Sequence, residues 1–521
     1  MHTVLITGAT DGLGLALARR YRAQGSVVLM VGRRPIAALD PAFFTPENYC
    51  QVDLALPDAA PRVAAWLDAR GIRALDLLIH NAGIGYVGDL ERQEPDNIRA
   101  LVDVNLWAPI ALSHALFPCL QRAQARCVFI SSVAADLPGP RYAVYTATKA
   151  ALDGFARNWR AELRADGSGV TVQVIHPGAV RTAMHAKSGA DPAALGWERF
   201  PTPEDVAAAI EAAILRSPRD VTIGAANRLA RRAGRTMPGV VDRLVALRRS
   251  PAPALPPPDA LPHALITGAA DGIGRALALR FAGAGYLVSG VDRDVARATQ
   301  TQGDIINRGG QARFTTADLA ARDGVGDVVR AAAGWPPVDV LIHNAGISCV
   351  GRFVDSDLAR QRAVVDVNLV APLLMTAGLL RDGAIAAGAM LVYVSSLSHF
   401  LGYPGASVYA ATKDGLAAYA RSVRVALAGA QVGVLVVYPG PTRTAHARQY
   451  SPDNRREQRR MPPETLADLI FAAVQERRSA LIPGAGNRVA AGLGQLAPGL
   501  MGGIMRRTLY APLTRTQHGR P

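Results

Sequence analysis

VLITGATDGLGLALARRY, residues 4–21, returns as ALITGAADGIGRALALRF at residues 264–281. Each copy is a short apolar run, a glycine-rich turn and then apolar residues at helical spacing, so each reads as strand, loop and helix. Glycine permits the sharp turn and the close backbone approach that such a loop makes, and the free N–H groups opening the helix attract an anion. Gly8, Gly12, Leu13 and Gly14 in the first copy, and Gly268, Gly272, Ile273 and Gly274 in the second, are therefore candidate contacts for the pyrophosphate of a dinucleotide.

Outward from these stretches the repetition continues. DLLIHNAGI (76–84) returns as DVLIHNAGI (339–347), VYTATKAAL (144–152) as VYAATKDGL (408–416), and IGAANRLARRAG near the end of the first copy as IPGAGNRVAAGLG near the end of the second. Between the copies lies PAPALPPPDALP, which can hold neither a helix nor a central strand. The expected organisation is a domain at 1–250, a proline-rich linker at 251–261 and a second domain at 262–521. Within each copy, short β-branched runs such as TVLI, VVLMV, CVFI and VTVQVI alternate with helical periodicity. That pattern implies βαβ units, a parallel sheet covered on both faces and an α/β doubly wound, Rossmann-type fold in each half.

Composition excludes more than it identifies. Half of the 521 residues are hydrophobic and 19% are charged, as in a well-packed protein rather than a disordered one. The net charge of +15 is carried almost wholly by arginine, with Lys149, Lys187 and Lys413 the only lysines, so it is read as a compositional skew and not as a nucleic-acid surface. Cys50, Cys119, Cys127 and Cys349 share no CxxC spacing, which predicts neither a disulfide framework nor a thiolate metal site and fits a reducing cytoplasm. No apolar run is expected to reach the length of a membrane span.

Against that skew, two of the three lysines occupy the same slot of the repeat. Tyr145 and Lys149 are four apart, as are Tyr409 and Lys413, so each pair shares one face near the start of a predicted helix. An ammonium beside a phenol favours its ionisation; a base working near neutral pH needs its pKa lowered by about 3 units. Thirteen residues before each tyrosine stands a serine at a strand end, Ser132 and Ser396, an interval that lets both hydroxyls reach one substrate oxygen. No metal site is expected.

These residues resemble the short-chain dehydrogenase/reductases, a family of NAD(P)(H)-dependent oxidoreductases, over nearly the whole of each half. The likeness rests on the two glycine loops, on HNAG at Asn81 and Asn344, on VNL at Asn105 and Asn368, on Ser132 with YTATK and Ser396 with YAATK, and on PGAVRT and PGPTRT. It implies a tetrad in each half. Asn105 and Asn368 hold a water, Ser132 and Ser396 polarise the substrate oxygen, Tyr145 and Tyr409 are the acid/base, and Lys149 and Lys413 bind the nicotinamide ribose. It also implies that Asp53 and Asp318 contact adenine and that Thr182 and Thr444 lie near the carboxamide. HNAG in place of the commoner NNAG, and Thr442 in place of valine or isoleucine, depart from the family pattern.

The copies diverge at the end of the second strand, where MVGRRP faces GVDRDV. A carboxylate there accepts from both ribose hydroxyls and repels a 2′-phosphate, whereas arginine attracts one. Asp292 thus points to NAD(H) in the second half, and Gly32 with Arg33 and Arg34 to NADP(H) in the first. After PGPTRT, Arg443, Arg448, Arg455, Arg456, Arg459 and Arg460 crowd one lid, where they suit a carboxylate or phosphate or simply face solvent. The other lid carries Trp197 and Phe200.

The expected protein is a tandem, bifunctional enzyme acting on secondary alcohols and ketones of lipophilic or acyl type, oxidising in one half and reducing in the other. Two alternatives stand beside it: an NAD(P)-binding scaffold or sensor, and an enzyme with one active half. Its tails suggest weak membrane-surface contact, and the family's habit of dimerising implies an internal pseudo-dimer. No nucleic-acid partner is expected.

Overall fold

In this computed structural model the chain is described at residues 2–191, 196–216, 220–247, 255–259, 261–451, 454–455 and 457–513. Residues 251–254 and 260 of the expected linker, 192–195 of the first lid and Arg456 of the second therefore lie outside the described residues. Two units separate by their internal contacts. The first comprises Met1–Gly88, Asp96–Val241 and Phe353–Asp355; the second comprises Asp89–Pro95, Asp242–Arg352 and Ser356–Pro521.

The first unit holds β1 (Thr3–Thr7), β2 (Val27–Gly32), β3 (Tyr49–Gln51), β4 (Leu77–His80), β5 (Arg126–Ile130), β6 (Thr171–His176) and β7 (Val221–Thr222). They form one parallel sheet in the order β3-β2-β1-β4-β5-β6-β7, with Leu5 of β1 in register between Leu29 and Leu78. Leu5, Ile6, Leu78, Ile79, Val128 and Phe129 are fully buried, as a sheet covered on both faces requires. Each such side chain contributes about 1.5–3 kcal/mol of burial. The strand order reverses between β1 and β4, and there the carboxyl ends of the strands open a crevice.

The second unit repeats the plan with β8 (His263–Thr267), β9 (Leu287–Asp292), β10 (Gln311–Thr316), β11 (Val338–His343), β12 (Ile385–Val394), β13 (Gly433–Val437) and β14 (Ala480–Leu481), ordered β10-β9-β8-β11-β12-β13-β14. The doubly wound parallel fold expected of each half is present.

The expectation that no apolar run is long enough to span a membrane is corrected at Leu358–Arg381. Within this 24-residue helical stretch the most apolar 18 residues have mean hydropathy 1.9, long and apolar enough to cross a bilayer, but 89% of them are buried within the fold. Two helices, Leu358–Val365 and Ala371–Arg381, are fused there by the π-turn Asp366–Val370, and the whole run serves as a core helix.

Candidate active site

Both glycine loops turn from a strand end into a helix, Gly12–Ala23 in the first unit and Gly272–Ala282 in the second, capped by Asp11 and Asp271. Gly8 and Gly268 are left-handed, at φ +66° and +65°. A Cβ on Gly14 would stand 2.2 Å from the carbonyl oxygen of Gly8, and one on Gly274 only 1.8 Å from that of Gly268. Only glycine fits, so the backbone closes on itself and leaves the helix start open to a phosphate. The residues present thus fit a dinucleotide. Ile273, like its counterpart Leu13, is half-buried at the start of its helix, and it lines the cavity described below.

Asn81 and Asn344 hold these loops in place. Each side-chain amide donates to two carbonyls where strand becomes loop, Asn81 to Thr7 at 3.0 Å and Gly8 at 3.3 Å, and Asn344 to Thr267 at 3.0 Å and Gly268 at 3.2 Å. Asp53 and Asp318 close the turns after β3 and β10 by accepting from Ala55 and Ala320. Thr182 packs its methyl against Gly12, and Thr444 does the same at Gly272 while capping the lid helix Ala445–Tyr450.

The tyrosines ride on long buried helices, Ala143–Asp166 and Ser407–Ala426. One turn on, the lysine ammonium reaches back to a strand carbonyl: Lys149 Nζ donates to Ile130 at 2.9 Å, and Lys413 Nζ to Val394 at 2.9 Å. Each sits 5.8 and 5.7 Å, respectively, from the centre of its tyrosine ring. Ser132 and Ser396 lie at the ends of β5 and β12 and hydrogen-bond the two phenols. The structure therefore brings Ser, Tyr and Lys together in both units.

Asn105 and Asn368 stand in π-turns, Asp103–Trp107 and Asp366–Val370, and both are fully buried. The Asn105 side chain accepts from Ile84 N and donates to Ile84 O, both at 2.9 Å, and also donates to Thr148 Oγ1 at 3.2 Å. Asn368 repeats this with Ile347 and Thr412. Thr148 in turn donates to the carbonyl of Tyr145. Each asparagine thereby ties the loop after the fourth strand of its unit to the tyrosine helix.

Burial pushes the Tyr145 and Tyr409 phenols above their ordinary 10, with the serine hydrogen bond pulling the other way. That is opposite to the direction a base at neutral pH needs, so the fold alone does not ionise the tyrosine. Burial also lowers both lysines from 10.5 to about 8, although Asp153 draws Lys149 back up. In the unfolded chain these amines keep their protons to about pH 10.5, so between the two values the unfolded state binds more protons and stability rises with pH. The native chain is expected to gain on the order of 2 kcal/mol per lysine between pH 7 and pH 10, relative to a K149M/K413M chain. Urea unfolding of both chains measures this; a difference that stays flat or falls contradicts it.

The unusual HNAG histidines are core residues. His80 bonds Ser113 at 3.0 Å and stacks on Phe129, while His343 bonds Thr376 at 3.0 Å and stacks on Tyr393. Burial drives both imidazoles down to about 3, so they are neutral. Thr442 is buried and bridges to Met461. In the second lid the arginines largely serve the lid itself: Arg443 bonds Gln458, Arg448 bonds Glu457, and Arg460 bonds Ser451 and Asn454.

A cavity of about 650 Å³ runs from Gly268 and Asp292 past Ser396, Tyr409 and Lys413 to the lid and to Met505, Thr508 and Leu509 of the tail. His446, which the sequence reading passed over, faces it. The signal was available in the alignment of the copies, where Met184 occupies the same place after the conserved RT.

A family model described as short chain dehydrogenase matches residues 2–193 and, again, 262–455. Dehydrogenase/reductase SDR family member 7B of Rattus norvegicus is 35% identical over 194 residues, covering 35% of this chain and 58% of that protein. Serine 3-dehydrogenase of Agrobacterium fabrum (strain C58) is 34% identical over 183 residues, covering 34% of this chain and 72% of that protein. A solved short-chain dehydrogenase from Sphingobium yanoikuyae in complex with NADPH is 26% identical, with a TM-score of 0.40 over 46% of this chain and 95% of that one. The chain spans about 58% of the length of the first curated relatives it matches. With the family pattern matched twice, over most of its residues, the chain belongs to the short-chain dehydrogenase family.

Proposed function

We propose that the chain is a bifunctional NAD(P)(H)-dependent oxidoreductase interconverting secondary alcohols and ketones, with a working site in each half. The observation that carries this reading is the duplicated geometry: in both units a buried lysine, anchored to a strand carbonyl, stands one helical turn from a tyrosine that hydrogen-bonds a strand-end serine. Bound at such a site, a nicotinamide supplies the hydride donor or acceptor and, when oxidised, a positive charge. The protein's part is proton transfer and positioning. The tyrosine hydroxyl gives a proton to the carbonyl oxygen in reduction and takes it back in oxidation, while the serine hydroxyl donates to the same oxygen. The serine hydrogen bond offsets part of the burial that raises the phenol, and the lysine ammonium can hold ribose hydroxyls.

The two halves differ in the cofactor they favour. Around Gly32 there is no room for a carboxylate, since a Cβ there would stand 2.8 Å from Thr10 Cγ2. Arg33 and Arg34 are exposed beside it, and Arg34 reaches across to the carbonyl of Thr10 in the glycine loop. This supports NADP(H) in the first half. Asp292 lines the cavity of the second half and accepts from Ala270 N and Asp294 N at 3.0 and 3.1 Å, which fixes its carboxylate at the strand end where a ribose would lie. This supports NAD(H) in the second.

Oxidation with NAD in one half and reduction with NADPH in the other would move a carbonyl or invert a stereocentre without net redox change in the substrate. Exposed Val489, Leu493 and Leu496 on the tail helix Ala485–Leu496, beside exposed Arg488, support a lipophilic substrate met at an anionic lipid surface. The test is to supply secondary alcohols, free or in anionic vesicles, with NAD and NADPH together. Isomerised or inverted product is expected, with faster turnover from vesicles. Activity of both halves in the same direction alone overturns the exchange, and indifference to vesicles overturns the lipid contact.

A further inference from the structure

The second-half cavity is walled mainly by apolar groups beyond the tyrosine, among them Leu401, Met505 and Leu509. His446 interrupts that wall. It lies on the lid helix directly after Thr444, with its ring against Tyr450 at 4.8 Å and its accessible surface facing the cavity. Among the described residues no side chain or backbone group is seen to hydrogen-bond its ring. The neighbouring cation on the same wall, Arg460, is turned to Ser451 and Asn454. In the first copy the equivalent residue is Met184, and the next, His185, packs among Trp197 and Phe200.

The surrounding cavity wall and the charge of Lys413 lower His446 to about 4, which favours the neutral ring even though the residue is exposed. A neutral imidazole presents one N–H donor and one nitrogen acceptor, which suits a hydroxyl or carbonyl better than a carboxylate. His446 is exposed in the free cavity, so a ligand that covers it without offering a matching oxygen leaves it unpaired, and in a mainly apolar wall that discriminates between ligands.

We propose that His446 binds a second oxygen of the substrate, a hydroxyl or carbonyl, so that the second half selects alcohols and ketones oxygenated near the reacting carbon. The inference rests on the second half being a working dehydrogenase site. His446 is a specificity residue; the proton at the reacting oxygen stays with Tyr409.

The full chain carrying Tyr145→Phe isolates the second half, assayed with NAD on aryl alkyl carbinols, each paired with its vicinal diol. His446→Phe is expected to raise KM for the diols about 10- to 100-fold and to leave kcat and the plain carbinols nearly unchanged. His446→Asn, which keeps a donor and an acceptor, recovers part of the loss. Calorimetric binding of the same diols to the NADH-loaded chain should weaken in parallel. Equal effects on diols and carbinols, or none on either, overturn the role of His446 while leaving the dehydrogenase reading intact. A Tyr145→Phe chain that neither binds nor turns over any member of the panel overturns both.

Discussion

Tyr409→Phe in the full chain is expected to cost NAD-linked turnover about 10²- to 10⁴-fold, the usual worth of a positioned acid/base, while NADP-linked turnover continues. Tyr145→Phe gives the mirror result. The substitution removes one oxygen and keeps the ring, which in the second unit packs edge-on to Tyr403 at 6.3 Å, so the fold and the nucleotide site stay intact. Initial rates with each cofactor, beside nucleotide binding by calorimetry, separate the readings. Loss of both activities in one variant means that a single half works. Nucleotide binding with no turnover in the unmodified chain means a binding protein, and turnover that survives both substitutions means that the tyrosines are not the acid/base.

Cofactor choice is the second large effect. Asp292→Asn removes the charge and keeps only one of the two acceptor oxygens, so the bond from Ala270 N or from Asp294 N is retained but not both, and the charge-assisted contact to a ribose is lost. Such contacts are worth about 1.5–3 kcal/mol, and KM for NAD should rise about 10- to 150-fold. Arg33→Ala with Arg34→Ala should raise KM for NADPH by a similar factor in the first half. Gly32→Asp, by contrast, should fail to create an NAD site, because Thr10 and Tyr49 already fill the space a side chain would need. A Gly32→Asp chain whose first half used NAD well would contradict this packing argument.

Much of the fold was legible because it was written twice. A glycine loop between an apolar run and a helical stretch fixes the first βα turn, and the alternation that follows leaves a parallel sheet as the economical solution. The tyrosine–lysine pairs were legible for a similar reason, since four residues on a helix bring side chains to one face. What escaped were partners distant in sequence or decided by burial. Nothing in DVNLW or DVNLV distinguishes a π-turn from an ordinary helical turn, and the reach from Asn105 to Ile84 exists only once the loop has packed. The histidine of HNAG looked like a departure near the site, yet Ser113 and Phe129 make it a satisfied core residue. The arginines of the second lid suited an anion or a solvated face, and Arg443, Arg448 and Arg460 are seen to bond other residues of the lid. His446 was hidden for the opposite reason: its interest lies in a cavity whose far wall comes from residues some 60 positions later.

The measurement that bears most directly on two working sites of different cofactor selectivity is a crystal structure of the full chain soaked with NAD and NADP together. Nucleotide is expected in both units, with a 2′-phosphate beside Arg33 and Arg34 in the first, and bare ribose hydroxyls on Asp292 in the second. The same nucleotide in both units, or one unit left empty at saturating concentration, would contradict the account.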